Sequence, residues 1–320
     1  MLYHLLLQTV KTQQSAGVSH GQPHLLLYHL IGDKDVEKAV NDLSQAARGE
    51  SLYVIADEVG SYGYRISNFQ TLCDKLLTQV PRLHLWAASC FNKYAPTGWQ
   101  VEYLTRPLRS PPAVVREIEQ DWRITRHCDV HPYSERGVPD HTDGPPVTRL
   151  YHRGQGHSGR WPGDCVTCGR ELASILHSLR VGVTESSTTT STTLTSTSGG
   201  TTPPCVQWRD VLVLDWYDGS DQSGVVTGLQ EAGIPVQVMK DEDIEDVATA
   251  RSDVVWVAGG RRVRGLERKV VVCLKDPDYQ SIKSDLVRPY TRSSFRLDLM
   301  SRCTSQLVIV SPDSKALAGD

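Results

Sequence analysis

Short, continuous runs of Val, Ile and Leu alternate with segments of helical periodicity along most of the chain. In the first third, the runs at 51–60 and 82–89 predict strands, and the segments at 35–49 and 67–80 predict helices. Continuous apolar strands that alternate with helices are typical of parallel sheets covered on both faces. The pattern therefore predicts an α/β fold.

The same alternation returns in the last third of the chain. Further strands are predicted by four Val/Ile/Leu-rich runs, at 208–216, 252–260, 268–274 and 305–311. Helices are predicted at 107–122, at 168–182 and at the start of 223–239, which then continues through a Gly-Ile-Pro turn into a short strand. Residues 126–169 are rich in His, Gly, Pro and Asp, and we expect loops to dominate there.

One segment differs sharply from the rest in composition. Residues 184–204, TESSTTTSTTLTSTSGGTTPP, are almost entirely Thr, Ser, Gly and Pro. Such a segment has too little apolar surface to offset the entropy lost on ordering. We expect it to be a disordered Ser/Thr-rich insertion.

Composition narrows the class of protein. The 34 Lys+Arg and 37 Asp+Glu give a net charge of −3, which argues against a strongly basic nucleic-acid-binding protein. The segment 259–269 is nevertheless locally basic and could contact phosphates. No apolar run is long enough to span a membrane, and the first residues lack the features of a signal peptide. Eight cysteines in 320 residues are too sparse for a disulfide scaffold, so we expect a reduced, intracellular protein of the nucleus or cytoplasm.

Asp57 and Glu58 end the apolar run YVIADE, which would put both acids at the carboxyl edge of a parallel sheet. Ligands of open α/β sheets bind at that edge. There the first acid can hold Mg²⁺ and the second can orient an attacking water. The alternative is that the two acids are only a solvated strand end.

The order of the segments along the chain carries more information than any one of them. The series runs YVIADE, LHLWAAS, YLTRPLRSPPAVV, RDVLVLD, LQEAGIPV, VRGLERKVVV and SRCTSQLVIV. In this order the segments resemble the later part of a superfamily 1 helicase of the UvrD/Rep type, and they are similar to the helicase-like part of Schlafen proteins. The resemblance covers residues 50–320.

The resemblance implies an α/β fold with RecA-like parallel sheets of the P-loop NTPase type. Residues 1–100 would form an incomplete first RecA-like domain with the Walker B strand, and residues 101–320 would form the second. In such helicases ATP and Mg²⁺ lie between the two domains, and single-stranded nucleic acid runs across both. We expect a protein partner, or an upstream part of a longer chain, to complete the first domain.

Site residues follow from the resemblance position by position. Asp57 and Glu58 match the Walker B acids. Arg109 matches an arginine that contacts the γ-phosphate, and Arg302 matches the arginine finger on a helix beside the sheet. Gly265–Glu267 matches a turn whose Glu holds the ribose.

The sequence departs from the family pattern in the segments that would bind the phosphates of ATP. The chain contains no G-x-x-x-x-G-K-[ST] sequence, the loop that cradles the β- and γ-phosphates. The segment after the second strand, with Ser89, Cys90 and Asn92, lacks the glutamine that senses the γ-phosphate. We therefore expect a helicase-like ATPase fragment that is weak or inactive alone. The alternative is a non-catalytic interaction or regulatory module on a degenerate helicase fold.

Cysteine spacing predicts a metal site in the loop-rich region 126–169. Cys165-x-x-Cys168 has the spacing of a zinc knuckle, and Cys128-x-x-His131 supplies a second pair, giving four ligands for a structural Zn²⁺. Two further histidines compete for these places, His152 and His157. The alternatives are that Cys165 and Cys168 are reduced thiols capping the helix that follows, or a redox pair.

Overall fold

A computed structural model describes the chain in segments, namely 2–15, 24–47, 51–57, 59, 65–88, 95, 98–102, 109–119, 144–153, 155–159, 161–181, 206–215, 220–260, 262–263, 265–274 and 299–312. The chain divides into two compact units. The small unit comprises Pro23–Arg106 and Trp122–Gly137, and the large unit comprises Met1–Gln22, Pro107–Asp121 and Val138–Asp320. Helices alternate with all-parallel sheets, so the predicted α/β class is confirmed.

The described helices and strands are numbered in chain order. The helices are α1 Leu2–Ser15, α2 Asp33–Ala47, α3 Arg65–Gln79, α4 Pro112–Glu119, α5 Val166–Val181, α6 Gly224–Glu231 and α7 Ile244–Thr249. The strands are β1 Leu52–Ala56, β2 Leu83–Ala87, β3 Thr148–His152, β4 Val211–Asp215, β5 Val236–Val238, β6 Val255–Gly259, β7 Arg268–Cys273 and β8 Cys303–Pro312. Single 3₁₀ turns lie at Pro162–Asp164, Trp208–Asp210 and Asp241–Asp243.

The small unit contains a two-stranded parallel sheet, β1–β2, with α2 and α3 packed together. Its core is formed by apolar residues of both helices and by one face of the sheet, including Val36, Val40, Phe69, Leu76, Val54 and Leu85. The other face of the sheet is exposed, and it carries Tyr53, Ile55, His84 and Trp86. The prediction that both faces of these strands are covered is therefore wrong within the part of the small unit that the structure describes.

The large unit contains a six-stranded parallel sheet in the order β3-β8-β7-β4-β6-β5. The residues of β4 and β6 that point to either face are buried, as expected for a parallel sheet between two layers. On one face, Val213, Val257 and Val272 pack with α5 and α6 through Leu172 and Leu229. The strands predicted in the last third of the chain are thus confirmed as the centre of this sheet.

The strand β3 lies within residues 126–169, where the sequence predicts mainly loops, and it is not itself predicted. Its sequence, TRLYH, has no continuous apolar run, and all five residues are only partly buried. The strand pairs along one edge of the sheet with β8. An ion pair between Arg149 and the buried Glu117 of α4 also stabilises it, and Gln306 donates a hydrogen bond to the carbonyl of Pro146, at 2.8 Å. Partners distant in sequence therefore form this strand.

Glycines allow α5 and α6 to approach closely. A Cβ on Gly228 would lie 2.2 Å from the carbonyl oxygen of Val166, and one on Gly169 would lie 2.6 Å from that of Val225. A Cβ on Gly224 would lie 2.2 Å from the carbonyl oxygen of Asp164. The first turn of α5 and the turn before it are therefore fixed against α6 by backbone contact.

Several sequence predictions fall on residues outside the described ranges. These include the Ser/Thr-rich insertion at 184–204, most of the loop-rich region, and the residues Glu58, Ser89, Cys90, Asn92, Cys128 and His131. Among the described helices, none is both long and apolar enough to cross a membrane.

Candidate metal centre

Two histidines and two cysteines of the large unit converge at the carboxyl edge of its sheet. His152 is the last residue of β3, and His157 lies in the loop that follows. Cys165 directly precedes α5, and Cys168 lies in the first turn of that helix. The four candidate ligand atoms all lie within 4.8 Å of one another. This cluster, His152, His157, Cys165 and Cys168, is called the His₂Cys₂ cluster below.

Both histidines present the same ring nitrogen to the sulfur atoms. Nδ1 of His152 lies 3.4 Å from Sγ of Cys168, and Nδ1 of His157 lies 3.4 Å from the same sulfur. Nδ1 of His157 also lies 3.6 Å from Sγ of Cys165. The two rings meet edge to face, with their centroids 5.3 Å apart. The nitrogen and sulfur lone pairs thus point into one small volume.

The second nitrogen of each ring has a partner outside the cluster. Nε2 of His152 lies 3.3 Å from the carbonyl oxygen of Gly159. Nε2 of His157 lies 3.5 Å from Oε1 of Glu171, which is one helical turn from Cys168 on α5. Because a carbonyl and a carboxylate oxygen are acceptors, both contacts favour a proton on Nε2 and a lone pair on Nδ1.

The turn before α5 positions the two cysteines. The turn Pro162–Asp164 ends where the N–H of Cys165 donates to the carbonyl of Pro162, at 3.2 Å. The N–H of Cys168 then donates to Sγ of Cys165, at 3.4 Å. Gly159 has a φ of +85°, and a Cβ at this position would lie 2.9 Å from Cβ of Asp164. A glycine is therefore needed to bring the loop back over the helix.

Burial and hydrogen bonding shift the pKa values of the two thiols in opposite directions. Cys165 and Cys168 are 0% and 1% exposed. Burial raises the pKa of Cys168, and the neighbouring Cys165 raises it further. Burial also acts to raise the pKa of Cys165, but hydrogen bonds from backbone N–H groups, led by that of Cys168, outweigh it and lower the pKa of Cys165. A cation between the sulfurs would favour the thiolate form of both.

The structure brings Cys165 and Cys168 together with His152 and His157, the two histidines predicted as competing ligands. The cluster has the spacing H-x₄-H-x₇-C-x₂-C. The sequence prediction of Cys128 and His131 lies outside the described residues. The outer partners Glu171 and Gly159 are not predicted from the sequence. Glu171 carries a signal that could have been used, because it follows Cys168 by three residues and so lies on the same side of α5.

Three residues predicted to contact a nucleotide lie around one groove of the large unit. Arg109, Gly265 and Glu267 line a cavity of about 380 Å³ at the amino ends of β4, β7 and β8. Arg109 forms an ion pair with Glu267, although 158 residues separate them. Gly265 has a φ of +76°, which lies in the left-handed region that glycine adopts without strain. These residues are distant in sequence and adjacent in the fold.

Arg302 lies in the turn directly before β8, rather than on a helix beside the sheet. It is 3% exposed, and its guanidinium donates to the carbonyl of Val263. Its own carbonyl accepts from the N–H of Arg268, at 3.0 Å. Arg302 therefore connects the segment before β7 to the segment before β8, and reaching a phosphate would require this turn to rearrange.

Of the two predicted Walker B acids, the structure describes one. Asp57 directly follows β1 in the small unit, where its side chain is exposed. This position, at the carboxyl end of a parallel strand, is the one the sequence predicts for it.

Comparison with known proteins gives no family assignment. The chain matches no protein-family model and no curated protein. Function must therefore be argued from the geometry of the sites.

Proposed function

We propose that the chain is a zinc-stabilised, non-catalytic binding module on a helicase-type RecA-like fold. His152, His157, Cys165 and Cys168 hold one structural Zn²⁺. The observation that carries the proposal is the His₂Cys₂ cluster, with its nitrogen and sulfur atoms within 4.8 Å of one another.

The interatomic distances support tetrahedral zinc. With Zn–S bonds of about 2.3 Å and Zn–N bonds of about 2.0–2.1 Å, adjacent nitrogen and sulfur ligands of a tetrahedron lie about 3.5–3.6 Å apart. The three contacts between Nδ1 and Sγ measure 3.4, 3.4 and 3.6 Å. Three of the six separations within the cluster therefore already match those of a tetrahedral zinc site.

The ligand set supports a structural rather than a catalytic zinc. Catalytic zinc sites keep an open position for water or substrate, whereas structural sites are closed by four protein ligands. Here four ligands are present, both sulfurs are buried, and His157 is only 8% exposed. The ion would join the edge strand β3 to the start of α5, and so fix the loop 153–160, whose sequence RGQGHSGR has no aliphatic side chain.

Two observations support a non-catalytic role. The loop that cradles the phosphates in helicases is absent from the sequence. In addition, the turn Pro162–Asp164 lies over the carboxyl ends of β4 and β7, where a Cβ on Gly163 would be 3.1 Å from Oδ2 of Asp215 and 4.0 Å from Cδ1 of Leu274. The chain continues from β4 to β5 on one side and from β7 to β8 on the other, and ligands of open α/β sheets bind between two strands whose connections diverge in this way. The turn Pro162–Asp164 covers this point.

A second candidate is a helicase-like ATPase fragment that needs a partner. It is favoured by the convergence of Arg109, Gly265 and Glu267 on one groove. In this role the groove would contact ATP and Mg²⁺ held by another domain, and single-stranded nucleic acid would stimulate turnover. The ion pair between Arg109 and Glu267 would then open when the nucleotide binds.

The proposal is tested by metal analysis of the purified full chain. We expect one zinc per chain by mass spectrometry, and less than a tenth of that amount in Cys165→Ser. Cys303→Ser is the matched control, because Cys303 is equally buried and lies outside the cluster. Absence of zinc from the wild-type protein after expression in zinc-supplemented medium would contradict the proposal.

The two candidates are separated by ATP binding and turnover, measured with and without single-stranded DNA and RNA. A non-catalytic module has no turnover above that of a Glu267→Ala control. Turnover that nucleic acid stimulates and Glu267→Ala abolishes would support the ATPase fragment instead.

A further inference from the structure

We propose that Glu171 is a positioning residue of the zinc site: its carboxylate holds the Nε2–H of His157, so that the lone pair on Nδ1 faces the metal. This inference rests on the proposed zinc site. It adds a residue that is not a ligand and that sets the affinity of the site.

The geometry of His157 carries the inference. One ring nitrogen lies 3.4 and 3.6 Å from the two sulfurs, and the other lies 3.5 Å from Oε1 of Glu171. A neutral imidazole has one N–H and one lone pair. Because the carboxylate only accepts, the proton occupies Nε2, and the lone pair is left on the nitrogen that faces the cluster.

The His157 ring and the Glu171 carboxylate differ in their exposure to water. The side chain of His157 is 8% exposed, whereas that of Glu171 is 42% exposed. Water therefore solvates the outer carboxylate oxygens, while the imidazole is held in a nearly dry site. The carboxylate can then hold the ring in one orientation without burying its own charge.

The other groups near the cluster have partners of their own, so Glu171 is the carboxylate that faces His157. Arg170, the adjacent residue on α5, pairs with Glu231 of α6 at 2.8 Å. His152 has a different outer partner, the carbonyl of Gly159 at 3.3 Å. Among the described residues, Glu171 is thus the only carboxylate that pairs with a histidine of the cluster. Removing it should weaken one ligand and leave the other three intact.

The matched control is Glu231. It is a glutamate of similar exposure, with 46% of its side chain accessible, and it pairs with Arg170 next to Glu171. Glu231→Ala removes a surface carboxylate from the same helix pair without touching His157. Any effect of lost surface charge alone would appear in this variant.

The experiment measures the zinc dissociation constant of the full chain by competition with a chromophoric chelator. We expect Glu171→Ala to weaken zinc binding by about 10- to 100-fold, the usual effect of removing an outer-shell carboxylate. Glu171→Gln, which keeps an oxygen acceptor without the charge, should lose less. Glu231→Ala should bind zinc within about twofold of wild type.

The unfolding midpoint of the metal-free protein separates positioning from a general structural role. We expect the metal-free Glu171→Ala and wild-type proteins to unfold at the same temperature, because the carboxylate acts through the metal site. Equal zinc affinity of wild type and Glu171→Ala would overturn the inference and leave the zinc site standing. Failure of the wild-type chain to bind zinc would instead overturn the proposed function.

Discussion

Nδ1 of His152 lies 3.4 Å from Sγ of Cys168, which joins the last residue of an edge strand to the first turn of a helix sixteen residues further along the chain. This contact closes a loop over the carboxyl edge of the six-stranded sheet. A zinc ion at this point would replace the apolar core that the loop lacks. The stability of the large unit should accordingly depend on the metal.

Removal of zinc should destabilise the large unit. A ligand present at about 1,000 times its dissociation constant adds about 4 kcal/mol, which corresponds to roughly 8–16 °C in unfolding temperature for a unit of this size. We expect a strong chelator to lower the midpoint by that amount and added Zn²⁺ to restore it. Cys168→Ser should unfold at the lower temperature with or without chelator. An unchanged wild-type midpoint after verified zinc removal would show that the ion contributes no stability.

Thiol reactivity should separate the cluster from the other buried cysteines. Burial raises the pKa of Cys73 to about 12, with a smaller contribution from the Asp74 carboxylate, and burial raises the pKa of Cys303 to about 12 as well. Both therefore stay protonated and unreactive towards iodoacetamide at pH 8 in the native protein. We expect Cys165, whose pKa is lowered by hydrogen bonds, to be protected by zinc and to be alkylated after chelation. Peptide mapping measures this, and alkylation of Cys165 at equal rates before and after chelation would count against the zinc site.

The close approach of α5 and α6 predicts that Gly228→Ala is destabilising, although alanine is favoured over glycine in a helix by about 1 kcal/mol. The new Cβ would meet the carbonyl oxygen of Val166 at 2.2 Å. Backbone cannot move aside cheaply, so overpacking outweighs propensity and the net loss should be at least about 1 kcal/mol. Gly32→Ala is the control, because no atom lies within 4 Å of its Cβ position, and it should change stability by less than about 0.5 kcal/mol. Denaturant unfolding compares the two.

The buried position of Arg302 predicts a structural effect of its removal. Arg302→Ala deletes a charged donor to the carbonyl of Val263 and should cost about 2 kcal/mol or more. Arg109→Ala removes an exposed ion pair and should cost less than about 1 kcal/mol. Chemical denaturation of both variants checks this order. A fully stable Arg302→Ala would contradict the structural role of this guanidinium.

The buried strands could be predicted from the sequence because their signal is local. A run such as VLVLD is apolar at every position, and only a sheet covered on both faces uses such a run. The strand β3 has no such signal. It is held by pairing with β8 and by the ion pair between Arg149 and Glu117, and none of these partners is a sequence neighbour.

The residues of the His₂Cys₂ cluster also differ in how far the sequence predicts them. The C-x-x-C spacing marks Cys165 and Cys168 because both lie at the start of one helix. The choice among histidines could not be made from spacing, since it depends on which strand ends beside that helix. His152 reaches the cysteines because β3 runs parallel to β8 and so ends at the carboxyl edge of the sheet. Sheet topology, rather than a local pattern, completes the ligand set.

The most direct test of the zinc site is X-ray absorption spectroscopy at the zinc edge of the purified protein. We predict a four-coordinate ion with two sulfur ligands at about 2.3 Å and two imidazole nitrogens at about 2.0–2.1 Å. The double variant His152→Ala with His157→Ala should retain less than a tenth of the wild-type zinc. Absence of bound zinc from the wild-type protein, or a coordination shell without two sulfurs and two imidazoles, would contradict the proposed site.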